Sequence, residues 1–157
     1  MMKLKNPYAN FPGHSCFGCS PTNPSGLRME FYKEGDEIVC RWDPCEHFQG
    51  FHDVLHGGIQ ATMMDEIASW VVFIMLDTAG VTYRLNTRFR KPVMISKGII
   101  TIRATLVSQQ KQLAEIEARL YDGENMLCAE SQASYFIMPR QKAISELHFP
   151  GKEAFLK

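Results

Sequence analysis

The sequence predicts an α+β domain in which one long apolar helix is wrapped by a single curled antiparallel sheet of five to six strands. Three observations carry that prediction. The run from Ile59 to Leu76 is apolar nearly all round, which places it in an interior. Three or four period-two segments follow it in succession, the pattern of consecutive antiparallel strands. Two shorter strand-like runs precede it. A flat sheet covers only one side of such a rod, so the sheet must curl around it.

Residues 1–26 hold Pro7, Pro12, Gly13, Pro21, Pro24 and Gly26 without periodicity, and read as an N-terminal lead-in loop. Leu27–Tyr32 and Glu37–Trp42 flank Gly35-Asp36 and read as a hairpin. After a loop containing Pro44 and Gly50, His56-Gly57-Gly58 opens a helix of roughly 18–20 residues that Gly80, Val81 and Thr82 close. Thr62, Asp65, Glu66 and Ser69 stand at i, i+3, i+4 and i+7, one polar stripe on this rod. Along Val81–Phe89 the apolar Val81, Tyr83, Leu85 and Phe89 share one face, and Thr82, Arg84, Asn86, Arg88 and Arg90 the other. Strands are expected at Gly98–Val107, Leu113–Tyr121 and Met126–Met138, with a turn at Asp122-Gly123. Residues 139–157 read as a poorly specified tail. No internal repeat or linker divides the chain, so 1–157 is expected to be a single domain.

The 157 residues are 45% hydrophobic and 22% charged, a globular composition. Seventeen Lys and Arg balance seventeen Asp and Glu, which argues against a general nucleic-acid binder. The balance hides an asymmetry: between Arg41 and Arg84 there are six acids and no base, and from Arg84 to Gln112 seven bases and no acid. The first residues lack the apolar stretch of a secretory signal, and the expectation is a cytoplasmic protein. Gln60, Asp65 and Glu66 inside the apolar run favour a buried helix over a membrane span. An odd count of five cysteines argues against a disulfide framework.

The chemistry concentrates at His56-Gly57-Gly58 and, nine residues after the histidine, Asp65. The first-turn N–H groups of a helix have no internal acceptor, and glycine lets a ligand approach them. They form a ready oxyanion hole, and Asp65 is then the general base or nucleophile. Glu66 is the competing carboxylate, pointing about 100° away around the helix. Gly57 and Asp65 are separated by roughly 12 Å of helix, so one carbonyl cannot touch both within a chain. A working site pairs Gly57 of one protomer with Asp65 of another, and a dimer is expected.

His14, Cys16 and Cys19 have the spacing of half a tetrahedral zinc site, with Cys45 or His47 available to complete it. No second Cys-x-x-Cys follows, so reduced, packed thiols are the favoured reading, and neither metal nor cofactor is expected.

Cys16-Phe17-Gly18-Cys19 with Asn23-Pro24-Ser25-Gly26-Leu27, then Phe48-Gln49-Gly50, Leu55-His56-Gly57-Gly58, Asp65-Glu66, and Asn86 with Pro92 resemble the hotdog-fold acyl-CoA thioesterases, in the phenylacetyl-CoA thioesterase-like branch. The likeness covers about residues 14–138. It implies a central helix in a curled sheet, assembled as homodimers or dimers of dimers. It further implies that Gly57 supplies the oxyanion N–H and His56 braces the loop. Asp65 then activates water or attacks the thioester, Thr82 holds the water near that carboxylate, and Gln49 orients the thioester. His52-Asp53 stands where the branch has Pro-Gly, so the loop over the acyl pocket is expected to differ. Gly58 and Glu66 are assigned to substrate binding. Arg88, Arg90 and Lys91, with Arg84 and Lys97 nearby, suit the three phosphate groups of coenzyme A.

Other classes remain open. A hotdog hydratase or dehydratase would act on an enoyl or β-hydroxyacyl thioester without releasing thiol. A non-catalytic acyl-CoA-binding module would bind tightly without turnover. A zinc-dependent interaction domain would unfold on chelation. The acyl partner is a small molecule in the first two, with neither nucleic acid nor membrane involved.

Overall fold

From His56 to Asp77 no proline interrupts the apolar run, and Gly57–Leu76 forms a 20-residue helix, α1. His56 caps it, its Nδ1 accepting from Gly58 N–H at 2.9 Å. Asp77, left-handed at φ 51°, ends it before the Gly80 that the sequence marks. The computed structural model describes all 157 residues.

Seven strands surround this helix in one sheet: β1 (Met2–Lys3), β2 (Phe31–Glu34), β3 (Glu37–Trp42), β4 (Gly80–Phe89), β5 (Ile100–Gln110), β6 (Leu113–Tyr121) and β7 (Leu127–Ile137). Their order is β1-β2-β3-β5-β6-β7-β4, and every pair is antiparallel. This is the predicted α+β architecture, the hotdog fold, with β1 as a short strand that the lead-in loop adds. α1 packs against β3, β4, β5, β6 and β7, so the sheet curls around it. Alternation puts Ala114, Ile116, Ala118 and Leu120 of β6 and Ala129, Ala133, Tyr135 and Ile137 of β7 in the core.

Three expectations are corrected. Leu27–Glu30 is not strand, because Arg28 adopts φ 53° and breaks the extended chain; Leu27 and Met29 N–H groups bond instead to Phe17 O and Gly18 O. The tail is structured: Arg140–Leu147 (α2), Glu153–Leu156 (α3) and the connection between them carry Ala143, Phe155 and Phe149 into the core. Phe155 lies 5.2 Å from Trp70 and 5.1 Å from Phe73, centroid to centroid, while Tyr8 of the lead-in packs on both Phe73 and Phe155. The helix face bearing Trp70 and Phe73 is thus covered from within the same chain.

The third correction is in β4. Its register with β7 shifts between Thr82 and Arg84, leaving Tyr83 as a bulge. Directly paired residues share a face, so Thr82, opposite buried Tyr135, and Leu85, opposite buried Ala133, both turn toward α1. Arg84, Asn86 and Arg88 take the outer face. Strict alternation places Thr82 with the arginines; the extra residue separates them. β4 is also an edge strand, and Val81, Tyr83 and Phe89 on it are 52%, 63% and 52% exposed.

Candidate active site

The two neighbouring acids of α1 enter different surroundings, as a 100° step around a helix requires. Asp65 turns toward β4 and β7. Thr82 Oγ1 donates to Asp65 Oδ1 at 2.8 Å, and the Tyr135 hydroxyl reaches the same oxygen at 2.7 Å. Tyr135 lies equally close to Asp65 O, and the charged oxygen is the stronger acceptor for its single proton. Asp65 Oδ2 accepts from no protein group. The carboxylate is therefore pinned through one oxygen and presents the other. Burial pushes the Tyr135 phenol far above its ordinary range, with the Asp65 charge adding to it, so the phenol remains a donor.

Tyr135 is the site residue that sequence reading missed. It occupies an inward position of β7, where an aromatic side chain reads as core. Its pairing with Thr82 across the β4–β7 ladder brings both hydroxyls to one carboxylate oxygen.

Glu66 turns the other way, under the lead-in loop. Cys16 Sγ lies 3.6 Å from both of its carboxylate oxygens, and Cys19 completes a close cluster. Burial pushes the Glu66 carboxyl up to about 7, with the Cys16 charge adding to the rise. A hydrogen bond from Cys19 holds the Cys16 thiol well below its ordinary value, and the same bond raises Cys19. This cluster borders a cavity of about 360 Å³ whose wall also includes Tyr8, His14, Ser69 and Phe73.

At the N-terminus of α1 the donors divide. Gly58 N–H is taken by His56 Nδ1, which removes it from substrate binding, whereas Gly57 N–H has no acceptor. His56 thus braces the turn and leaves one free donor at the positive end of the helix. Gln49 is exposed beside this turn, its Oε1 accepting from Asp53 N–H at 2.9 Å and its amide nitrogen without a protein partner. Because Gly57 and Asp65 share one unbroken helix, they stay roughly 12 Å apart within the chain.

The basic cluster also divides. Arg90 is committed to Glu130, with Nε at 3.1 Å, and Lys97 to Asp122 and Glu124 at 3.4 and 3.5 Å. Arg84 lies over the Tyr83 ring. Arg88 and Lys91 are exposed and form no ion pair, which leaves their charge available.

The family model of the thioesterase superfamily matches residues 52–129. A Saccharolobus solfataricus protein that carries an esterase name is 27% identical over 95 residues, which are 60% of this chain and 62% of that protein. A Thermoplasma acidophilum protein of the same kind of name is 28% identical over 93 residues, 59% of this chain and 69% of its own length. The match therefore spans less than two thirds of the Saccharolobus relative. Among solved structures, thioesterase HI1161 from Haemophilus influenzae superposes with a TM-score of 0.68 at 24% identity, over 76% of this chain and 85% of that one. The BH2602 protein from Bacillus halodurans, solved with CoA, gives 0.64 at 24% identity, over 72% and 76%. The structural likeness carries the fold, and the matched segment runs from the loop before α1 through the Asp65 helix and β4 into β7. Over that segment, just under half of its length, the chain is similar to the thioesterase superfamily.

Proposed function

We propose that the chain hydrolyses acyl-CoA thioesters to a free carboxylic acid and coenzyme A. The observation that carries this reading is the Asp65 carboxylate, tied at Oδ1 by two hydroxyls and free at Oδ2. As general base, Oδ2 takes a proton from water while the water oxygen attacks the thioester carbon; as nucleophile, Oδ2 attacks that carbon itself. Either way the carbonyl oxygen becomes negative and needs a donor, which Gly57 N–H supplies. Collapse breaks the C–S bond, and the coenzyme A thiolate leaves and takes up a proton; the general-base route gives the free acid directly, whereas on the nucleophilic route water then hydrolyses the acyl–Asp65 anhydride to release the acid and restore the carboxylate.

The 12 Å helix separation requires the donor and the carboxylate to come from two chains. The exposed β4 edge, with Val81, Tyr83 and Phe89 alongside Thr82, is the surface on which a second copy would meet this site. Arg88 and Lys91 are the cations free to hold phosphate, a role in which Arg90 is replaced because Glu130 already neutralises it. Structural neighbours solved with CoA, from Bacillus halodurans and Streptococcus pneumoniae among others, support this choice of ligand.

The test is a panel of short, medium and aryl acyl-CoAs with purified protein, following thiol and acid release together. One thiol per acid is expected, and the preferred acyl group names the substrate class. Water addition to an enoyl-CoA without thiol release would replace hydrolysis by hydration, and tight binding of every thioester without turnover would leave a binding module.

Tyr135→Phe removes one donor from Asp65 and no ring volume. A hydrogen bond to a charged group contributes about 1.5–3 kcal/mol, so kcat is expected to fall by about 10- to 100-fold with KM little changed. Equal kcat in wild type and variant would assign Tyr135 to packing alone.

A further inference from the structure

We propose that Cys16, Cys19 and Glu66 form a binding site for a zinc-class divalent cation, with a fourth coordination position opening into the cavity under the lead-in loop. The ligand atoms of the three residues all lie within 4.8 Å of one another. Tetrahedral zinc, with Zn–S of about 2.3 Å and Zn–O of about 2.0–2.2 Å, sets sulfur and oxygen about 3.5–3.7 Å apart. Cys16 Sγ stands 3.6 Å from each Glu66 oxygen.

The loop is shaped around this contact. A Cβ on Gly18 would fall 2.6 Å from Glu66 Cγ, Cδ and Oε2, so the absence of a side chain at Gly18 is what lets the carboxylate reach the sulfurs. Leu27 and Met29 tie the same turn down through Phe17 O and Gly18 O at 2.8 and 2.9 Å.

Charge is the second argument. No Lys, Arg or His pairs with Glu66, although it is half-buried and packed against two thiols at the cavity wall. A carboxylate withdrawn in part from water gains from a bound cation, and the more so the more of it is withdrawn. Two sulfurs select a soft or borderline metal over magnesium or calcium. On the same cavity wall, His14 Nε2 is buried without a hydrogen-bond partner, a polar atom available to a water in that cavity. The sequence points away from a metal here because it seeks the completing ligand among Cys45 and His47. Glu66, fifty residues along the chain from Cys16, supplies it.

The experiment uses the full chain, purified under reducing conditions, stripped with a chelator, and titrated with Co2+ and then Zn2+. One Co2+ per chain is expected, with the thiolate-to-cobalt charge-transfer band and visible absorption of tetrahedral strength, both lost when Zn2+ displaces it. Cys16→Ser and Cys19→Ser should each reduce the charge-transfer band by about half or abolish it, and Glu66→Gln should weaken binding by at least about tenfold. Cys45→Ser, outside the cluster, should match wild type. Circular dichroism of each stripped variant separates loss of the site from loss of the fold. Wild type with both thiols reduced and no cobalt band overturns the proposal, as does a Glu66→Gln variant that binds as tightly as wild type. Recovery of a Cys16–Cys19 disulfide, followed by no metal uptake after reduction, overturns it in favour of a redox pair. None of these readouts depends on thioester turnover, so this site and the proposed hydrolysis stand or fall separately.

Discussion

Asp65→Asn is expected to lower acyl-CoA hydrolysis by about 10²–10⁴-fold, the usual contribution of a positioned acid or base, while leaving the fold intact. Asparagine keeps the shape of the side chain and an oxygen to accept from Thr82 and Tyr135. It loses the negative charge and the basic Oδ2. Steady-state thiol release reads the effect, and matching thermal unfolding of the two proteins excludes misfolding as its cause. Glu66→Gln run beside it should retain turnover within about threefold, because Glu66 faces the lead-in loop and touches no group of the Asp65 site. A reversal of those two results would move the chemistry to the other side of the helix.

Phe155→Ala is expected to cost about 3–5 kcal/mol, the range for removing a fully buried aromatic side chain. Phe155 is 0% exposed and stacks or abuts Trp70, Phe73, Phe149 and Tyr8. Its carbonyl also accepts from Lys5 N–H at 2.8 Å, joining tail to lead-in. At about 2–4 °C per kcal/mol for a domain of this size, Tm should drop by roughly 6–20 °C. Leu156→Ala, at a half-buried neighbour, should move it far less. Calorimetry on the three proteins decides it, and an unchanged Tm for Phe155→Ala would mean that the tail does not dock.

The helix and the sheet around it were legible because their signals are local. Apolarity over Ile59–Leu76 and alternation over Leu113–Tyr121 each act within one element. The Asp65 position was legible through its spacing from His56-Gly57-Gly58. The bulge at Tyr83 was not, because a bulged aromatic occupies the same place in an alternating pattern as an inward one. Only the pairing of Thr82 with Tyr135 and of Arg84 with Ser134 exposes the extra residue. Tyr135 was hidden for a related reason: its ring satisfies the core, and the partner of its hydroxyl lies on another element. The tail was misjudged because Phe149 and Phe155 are isolated among polar residues, and what they bury against is Trp70 and Phe73 far upstream. Glu66 shows the same limit, since its surroundings are set by a loop at the opposite end of the chain.

The order β6-β7-β4 has a bearing on when the surroundings of Asp65 are assembled as the chain folds. β4 follows α1 directly, yet its only ladder partner is β7, which forms after β5 and β6 in the chain. Such non-local closure pays its loop entropy before any contact rewards it, and comes late in assembly. Thr82 and Tyr135, the two donors that aim Asp65, sit on those two strands. A chain that has collapsed around the helix without completing the sheet therefore has its carboxylate but not the geometry to use it. The aimed carboxylate is completed only when the last strand closes the sheet.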